Sequence, residues 1–141
     1  MRKNFLILTW AVMALTSIPA AAHQQSIEGT EWGVVGDKGD TARFISFAGS
    51  GRVFGFGGCN RFSGTFEQHD EHLKISPLAA TRKVCAEDAM AKENDFFGML
   101  AKVRGVNVDH TLLLFLDEAG ADLKAMTRRS SEPVGSDSDE P

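Results

Sequence analysis

Two five-residue stretches of alternating side chains constrain the chain most. They are residues 63–67 (SGTFE) and 72–76 (HLKIS), which alternate apolar and polar side chains with period two around the polar residues 68–71 (QHDE). Alternation at that period sends successive side chains to opposite faces, so Phe66, Leu73 and Ile75 point to a core while Glu67, His72 and Lys74 point to water. This predicts an antiparallel hairpin with one face buried.

Neighbouring stretches repeat the theme. Residues 31–35 form a first strand with Trp32 as a core anchor, the turn-rich residues 36–40 separate it from a strand at 42–47, and the glycine-rich residues 48–51 return the chain into a strand at 52–56. Residues 23–30 read as a polar lead-in. Further on, residues 106–109, 111–116 and 122–127 read as strands, and the run from Leu112 to Leu116 suits a strand buried on both faces better than a short buried helix. Between these groups, residues 87–103 carry Met90, Phe96, Phe97, Leu100 and Val103 at three- and four-residue spacings, with Lys92, Asp95 and Lys102 on the other side. That pattern predicts one amphipathic helix, stopped near Gly105. The fold class is therefore α+β: a mostly antiparallel sheet of about eight strands with one main helix packed on it.

The ends of the chain differ from its middle. Arg2 and Lys3, an apolar run at 5–15 and small residues at 16–22 form an export-signal pattern. Its core is shorter than the roughly 20 apolar residues that a membrane helix needs. Residues 1–22 are thus expected to be a signal peptide, 23–128 the folded domain, and 129–141, rich in Ser, Asp, Glu, Pro and Gly, a disordered acidic tail. The chain carries 15 Lys and Arg against 19 Asp and Glu. Without Arg2 and Lys3 the balance becomes 13 minus 19, or −6. An acidic domain with no basic run does not suit nucleic acid or an anionic membrane surface. The expected product is periplasmic or secreted, monomeric, and without a membrane anchor once the signal is removed. Cys59 and Cys85 are the two cysteines. An even count in an oxidising compartment favours a disulfide over two buried thiols.

Two segments stand apart from simple alternation: GGCNRFSG at 57–64 and TRKVC at 81–85. Together with Glu93, Phe96 and Leu100 on the helix, they resemble the META domain family, that of the heat-inducible HslJ-type envelope proteins. The residues that carry the likeness are Gly57, Gly58, Cys59, Asn60, Arg61, Phe62, Ser63 and Gly64, then Thr81, Arg82 and Glu93. The resemblance spans about residues 29–127. It departs from the family pattern at Lys83, where an apolar residue is usual, and in lacking the lipoprotein cysteine of many members. The resemblance implies mostly antiparallel strands with one packed helix, and a link to stress tolerance and the cell envelope. It implies no catalytic mechanism.

The chemistry-bearing residues have modest readings. A phosphate loop needs a helix after its glycines, whereas a strand follows Gly55, Gly57 and Gly58, so these glycines are expected to serve a bulge or a close backbone approach. Asn60 suits a turn in which its side chain bonds the local backbone. Arg61 and Arg82 are expected to bridge carbonyls or an acid such as Glu93. His69 and His72 flank a hairpin tip and make at most a weak metal site. Ser63 has no nucleophile-elbow context, and no paired carboxylates are placed for acid–base work. The expectation is a non-enzymatic protein without catalytic residues, cofactor or resident metal, acting through contact with an unknown envelope protein or small ligand. The alternative is a small-molecule or metal-binding periplasmic module.

Overall fold

The computed structural model describes residues 25–130. The expected signal peptide, and the expected tail beyond Ser130, lie outside the described residues.

Among the described residues nine strands form: β1 (Thr30–Val34), β2 (Phe44–Ala48), β3 (Arg52–Phe56), β4 (Arg61–His69), β5 (His72–Ile75), β6 (Ala79–Ala80), β7 (Gly105–Asp109), β8 (Leu112–Leu116) and β9 (Asp122–Arg128), with one α-helix, α1 (Glu87–Lys102), between β6 and β7 and a short 3-10 turn at Gly39–Thr41. All pairings are antiparallel, in the spatial order β3-β2-β1-β9-β8-β7-β5-β4-β6. A further pairing of β3 with β4 closes the eight strands from β3 round to β4 into a barrel, with the two-residue β6 paired to β4 beside β5. Closure removes the exposed edges that an open sheet would present. The fold is α+β as expected, with the two-residue β6 as the extra strand.

Alternation fixes what fills the barrel. Trp32, Ile45, Phe47, Leu113, Phe115 and Met126 are fully buried, and Val53, Phe62, Phe66, Leu73 and Ile75 join them from the inward positions of β3, β4 and β5. Phe47 meets Phe66 edge to face, with ring centroids 4.9 Å apart. The helix turns Phe96 and Leu100 into the same core, with Val103 just beyond its end. Burial of side chains of this size stabilises by about 1.5–3 kcal/mol each. Met90 and Phe97, expected on that face, are only half-buried, and Glu93 takes a buried place beside Phe96. Glu87 and Asp88 in the first turn and Lys102 in the last complement the helix dipole.

Four local expectations change. The helix ends at Lys102 with Val103 in extended conformation, so Gly105 is no helix stop. It opens β7, where a Cβ would stand 3.3 Å from the Leu116 Cβ and 3.4 Å from the Glu71 carbonyl oxygen. The run from Leu112 to Leu116 is a strand, but it alternates: Leu113 and Phe115 are at 0% exposure and Leu112 is 46% exposed, because only one face of a barrel wall is interior. In the polar lead-in, Ile27 is buried at 1%. Its amide donates to Gln68 Oε1 at 3.0 Å, and Gln68 Nε2 donates to the Gln25 carbonyl at 3.2 Å. Gln68 and His69 accordingly belong to β4, and the β4–β5 turn contracts to Asp70, at φ 55°, and Glu71.

Candidate functional site

The glycine-cysteine segment links β3 to β4, and the second segment runs from β6 towards α1. The structure brings them together. Cys59 and Cys85 form a disulfide with Cα atoms 6.0 Å apart. Thr81 bonds twice to the Arg61 main chain: its amide donates to the Arg61 carbonyl at 3.0 Å, and its Oγ1 accepts from the Arg61 amide at 3.2 Å.

Asn60, 3% exposed, is the hub. Its Oδ1 accepts from Thr81 Oγ1 at 2.8 Å and from the Lys83 amide at 2.6 Å. Its Nδ2 donates to the Lys83 carbonyl at 3.1 Å and to Glu93 Oε1 at 2.7 Å. Two acceptor and two donor contacts use the full capacity of the amide. The expected local turn role of Asn60 is therefore replaced by bonds to residues 21–33 positions away. These four bonds go to three residues on two other segments, and this is what makes it a fastener.

Glu93, also 3% exposed, completes the joint. Oε2 accepts from the Cys59 amide at 3.0 Å and the Asn60 amide at 2.5 Å. Each hydrogen bond to Glu93 comes from the Cys59–Asn60 pair and none from an arginine; the expected bridge from Arg61 or Arg82 is not formed. Both arginines have exposed side chains. The physical reason is proximity: main-chain amides at 59 and 60 lie directly against the helix, and they need a buried acceptor. Gly57 permits that approach, since a Cβ there would stand 2.8 Å from Glu93 Cγ and 2.9 Å from Phe97 Cζ. Gly58 has φ +110°, a conformation that L side chains rarely adopt. Phe62 points inward and meets Phe97 edge to face at 5.4 Å, whereas Ser63 points outward and Gly64 sits close to Leu78. Among the described residues no buried side-chain nitrogen or oxygen lacks a hydrogen-bond partner.

A second polar contact ties the β1–β2 link to the helix. Arg43 Nε donates to Asp37 Oδ2 at 2.6 Å and Nη2 to Oδ1 at 2.9 Å, while Nη1 reaches the Lys92 carbonyl at 3.3 Å. Hydrogen bonding from the Arg43 side chain holds the Asp37 carboxyl below its ordinary value, against the opposing effect of burial. The same contact raises Arg43.

A cleft lies elsewhere, on the outside of the barrel. β5 and β7 share one register pair, His72 with Gly105, held by bonds from the Leu73 amide to the Arg104 carbonyl (3.0 Å) and from the Val106 amide to the Glu71 carbonyl (2.8 Å). Beyond Leu73 the chain opposite leaves for the helix, and the wall is indented. The resulting cleft, about 530 Å³, has Leu73 and Leu116 in its lining. Glu67, His69, His72 and Lys74 reach it from the outward side of the β4–β5 hairpin, with Arg104, Asp117 and Glu118 opposite. Asp117 Oδ1 is engaged by the Ala119 and Ala121 amides, both at 2.9 Å, which shapes the β8–β9 turn. His69 and His72 are register partners across the hairpin. Among the described residues, no group of three or more His, Cys, Asp or Glu side chains is placed to hold a metal ion. His69 and His72 stand out in the sequence whereas Lys74 and Arg104 do not, because a cleft formed by interrupted pairing leaves no local motif.

His110 stands at another hairpin tip, at φ 51°, with its ring against the neighbouring Asp109 carboxylate. It lines a smaller cavity of about 220 Å³ with Gln25, Gln68 and Asn107, and no hydroxyl or thiol side chain shares that lining. No helix among the described residues is long and apolar enough to cross a membrane.

A polar joint of this kind on a closed antiparallel sheet with one helix defines a class of small domain, and comparison with known families gives the class its identity. The META domain family matches residues 15–130, and the chain belongs to that family. Among solved structures, the chain is similar to a protein from Burkholderia xenovorans determined by NMR, at 20% identity and a TM-score of 0.61, covering 74% of this chain and 84% of that one. A second NMR structure is similar at 22% identity and a TM-score of 0.55, covering 76% and 93%. A crystal structure of a DUF4847 family protein from Bacteroides vulgatus aligns at 17% identity and a TM-score of 0.50, covering 64% and 61%. At these identities the likeness shows the fold alone. No curated protein matches the chain.

Proposed function

We propose that this META domain is a non-catalytic exported protein that supports envelope stress tolerance through contact with a protein or small ligand at the β5–β7 cleft. The observation that carries the reading is the cleft itself. Its volume of about 530 Å³ falls within the roughly 300–1,000 Å³ of small-molecule sites, and its lining sets charged and imidazole side chains around Leu73 and Leu116. Lys74 and Arg104 offer cations to a carboxylate, while Glu67 and Glu118 offer acceptors to an amine. The disulfide and the N-terminal signal pattern support export.

The test is complementation. A strain lacking the gene is challenged with heat and with envelope-active drugs, then given the wild-type chain or the cleft variants Lys74→Glu and Arg104→Glu. The expected outcome is sensitivity that the wild type relieves and the cleft variants do not, although they accumulate and melt like wild type. Full relief by both variants, or no sensitivity on deletion, would refute the proposal.

A second reading, metal binding, draws on the placement of His69 directly opposite His72 at the cleft rim. Calorimetry with zinc and copper, repeated on His69→Ala, separates it from the first: heat that vanishes in the variant supports it, and no heat with the wild type removes it.

A further inference from the structure

The barrel wall is least complete along one edge of β5. Successive residues of a strand aim their main-chain groups at opposite edges. The Ser76 amide donates to the Thr65 carbonyl on β4 at 2.9 Å, whereas the Leu73 amide donates the other way, to the Arg104 carbonyl at 3.0 Å. The N–H and C=O of Ile75 therefore face the β7 side. No strand stands opposite them: β5 pairs with β4 and β7, and β7 meets it at His72 alone. The Arg104 amide turns away to the Leu116 carbonyl at 2.9 Å, and two residues earlier the chain is already helix. Ile75 is 9% exposed, so its main-chain pair is an open rung of the ladder rather than part of a solvated turn.

Space and charge lie beside this rung. A second cavity, of about 360 Å³, has Ile75, Leu78, Leu100 and Ala101 in its lining, and it meets the β5–β7 cleft at Lys74 and Arg104, which line both. Glu67, Glu71 and Glu118 line the cleft, whereas the second cavity has no acid in its lining. Lys74 makes no ion pair among the described residues, even with Glu67, its register partner on β4. Arg104 Nη1 donates to the Ala101 and Val103 carbonyls at 3.0 and 2.7 Å, which anchors the guanidinium at the helix end and leaves Nε and Nη2 uncommitted.

We propose that the open rung at Ile75 receives the carboxyl-terminal end of an extended peptide, added antiparallel to β5. This rests on the cleft reading above and names the class of its partner. Three features choose the occupant. A donor and an acceptor side by side on a strand edge are matched by an extended main chain, as in other strand additions. The lane beside β5 is closed at one end by Arg104, whose carbonyl already accepts from Leu73, so a strand laid there ends instead of running on. Of the two kinds of chain end, the carboxylate suits Lys74 and Arg104 and the amine is repelled by them. Antiparallel pairing then sets the specificity. The penultimate residue lies opposite Ile75 and turns its side chain to the same face, towards Leu78 and Leu100, so it is apolar; the terminal residue falls opposite Lys74.

The probe is acetyl-Ala-Thr-Val-Ala with a free carboxylate, titrated into the isotope-labelled chain of residues 23–141. Two controls accompany it: the same peptide as its carboxamide, and the peptide N-methylated at Val, which cannot donate to the Ile75 carbonyl. The free acid is expected to give saturable amide shifts at Ile75, Ser76 and Arg104 and to slow hydrogen exchange at the Ile75 amide. The carboxamide should bind roughly tenfold more weakly, the loss of one hydrogen-bonded charge, and the N-methyl peptide should give no saturable shift at Ile75. In Lys74→Gln, whose spectrum shows directly whether the barrel is folded, the acid should lose most of its advantage over the carboxamide. Equal binding of acid and carboxamide would overturn the chain-end assignment, and equal binding of the N-methyl peptide would overturn strand addition. Millimolar peptide that leaves Ile75 unshifted overturns both. These results are distinct from those of complementation. No shift at Ile75, with stress relief still lost in Lys74→Glu, removes this occupant and keeps the cleft; shifts at Ile75, with full relief by Lys74→Glu, keep the peptide site and remove the cleft from stress tolerance.

Discussion

Replacing Glu93 by Gln tests the polar joint with the least disturbance of shape. The carboxylate is 3% exposed and accepts from the Cys59 amide at 3.0 Å, the Asn60 amide at 2.5 Å and Asn60 Nδ2 at 2.7 Å. In Glu93→Gln the new amide oxygen can take the place of Oε2 and keep both main-chain bonds. Its NH2 group then faces Asn60 Nδ2, donor against donor. Asn60 has no escape by turning over, since its Oδ1 already accepts from Thr81 Oγ1 and the Lys83 amide, and a turned amide would set NH2 against that Lys83 N–H. One buried donor stays unpaired, at a cost of about 1–3 kcal/mol, and the two retained bonds lose their charge assistance. The sum is a destabilisation of about 2–4 kcal/mol, a large part of the roughly 5–15 kcal/mol typical of a domain. Glu93→Ala removes all three hydrogen bonds and should cost more. Trp32 is the sole tryptophan after residue 22 and is fully buried, so its fluorescence reports urea unfolding of the mature chain directly. The measured quantity is the shift in midpoint at constant slope. If Glu93→Gln lies within about 0.5 kcal/mol of wild type, the range of an ordinary surface substitution, the donor–donor reasoning fails.

Two other perturbations act on neighbouring contacts. The disulfide closes a separation of 26 residues, for which the chain-entropy relation gives about 3.5 kcal/mol; Cys59→Ala/Cys85→Ala should lose about that much in urea unfolding, and a loss below about 1 kcal/mol would contradict it. The Asp37 carboxyl is held below its ordinary value of 3.8 by hydrogen bonding from Arg43, so its contribution to stability is complete above that value and is lost as pH falls through the lower, folded-state value. The stability gap between wild type and Asp37→Asn should accordingly close as the solution is acidified below about pH 4, and a gap that stays constant or widens in acid would refute the assignment.

The residues differ in how much of this they disclosed before folding. Phe66, Leu73 and Ile75 announced their inward positions because a strand has an exact two-residue repeat, and Phe96 and Leu100 did so through helical spacing. The meeting of the two motif segments was legible from Cys59 and Cys85, one on each. Closure of the barrel was not, because the inward pattern of β3 and β4 is the same whether their outer edges are free or paired with each other. Ile27 is hidden because a lone apolar residue among polar neighbours has no period; its amide is held by Gln68 on a strand 41 residues away, and its side chain joins the core. The partner of Glu93 was misread for a related reason. Arginines carry obvious positive charge in the sequence, whereas a free main-chain amide is present at almost every residue, and only the bend at Gly57 and Gly58 singles out those of Cys59 and Asn60.

The saturation of the joint separates what identifies this domain from what it can touch. Asn60 has no unused donor or acceptor, Glu93 is enclosed, and both cysteines are bonded to each other, so an outside ligand could reach these groups only by breaking the contacts that hold α1 to the barrel. Breaking a buried polar network of this kind costs several kcal/mol, more than a weak contact returns. Under the proposed function, contact with a partner therefore falls outside this joint. Two places there are more than solvated surface: the indentation where β5 and β7 share a single register pair, and the open edge of β5 at Ile75 beside it. Both lie on strands whose inward side chains are locked in the core, which gives each surface a rigid backing. Substitutions on these surfaces should then separate binding from stability, as substitutions in the joint cannot.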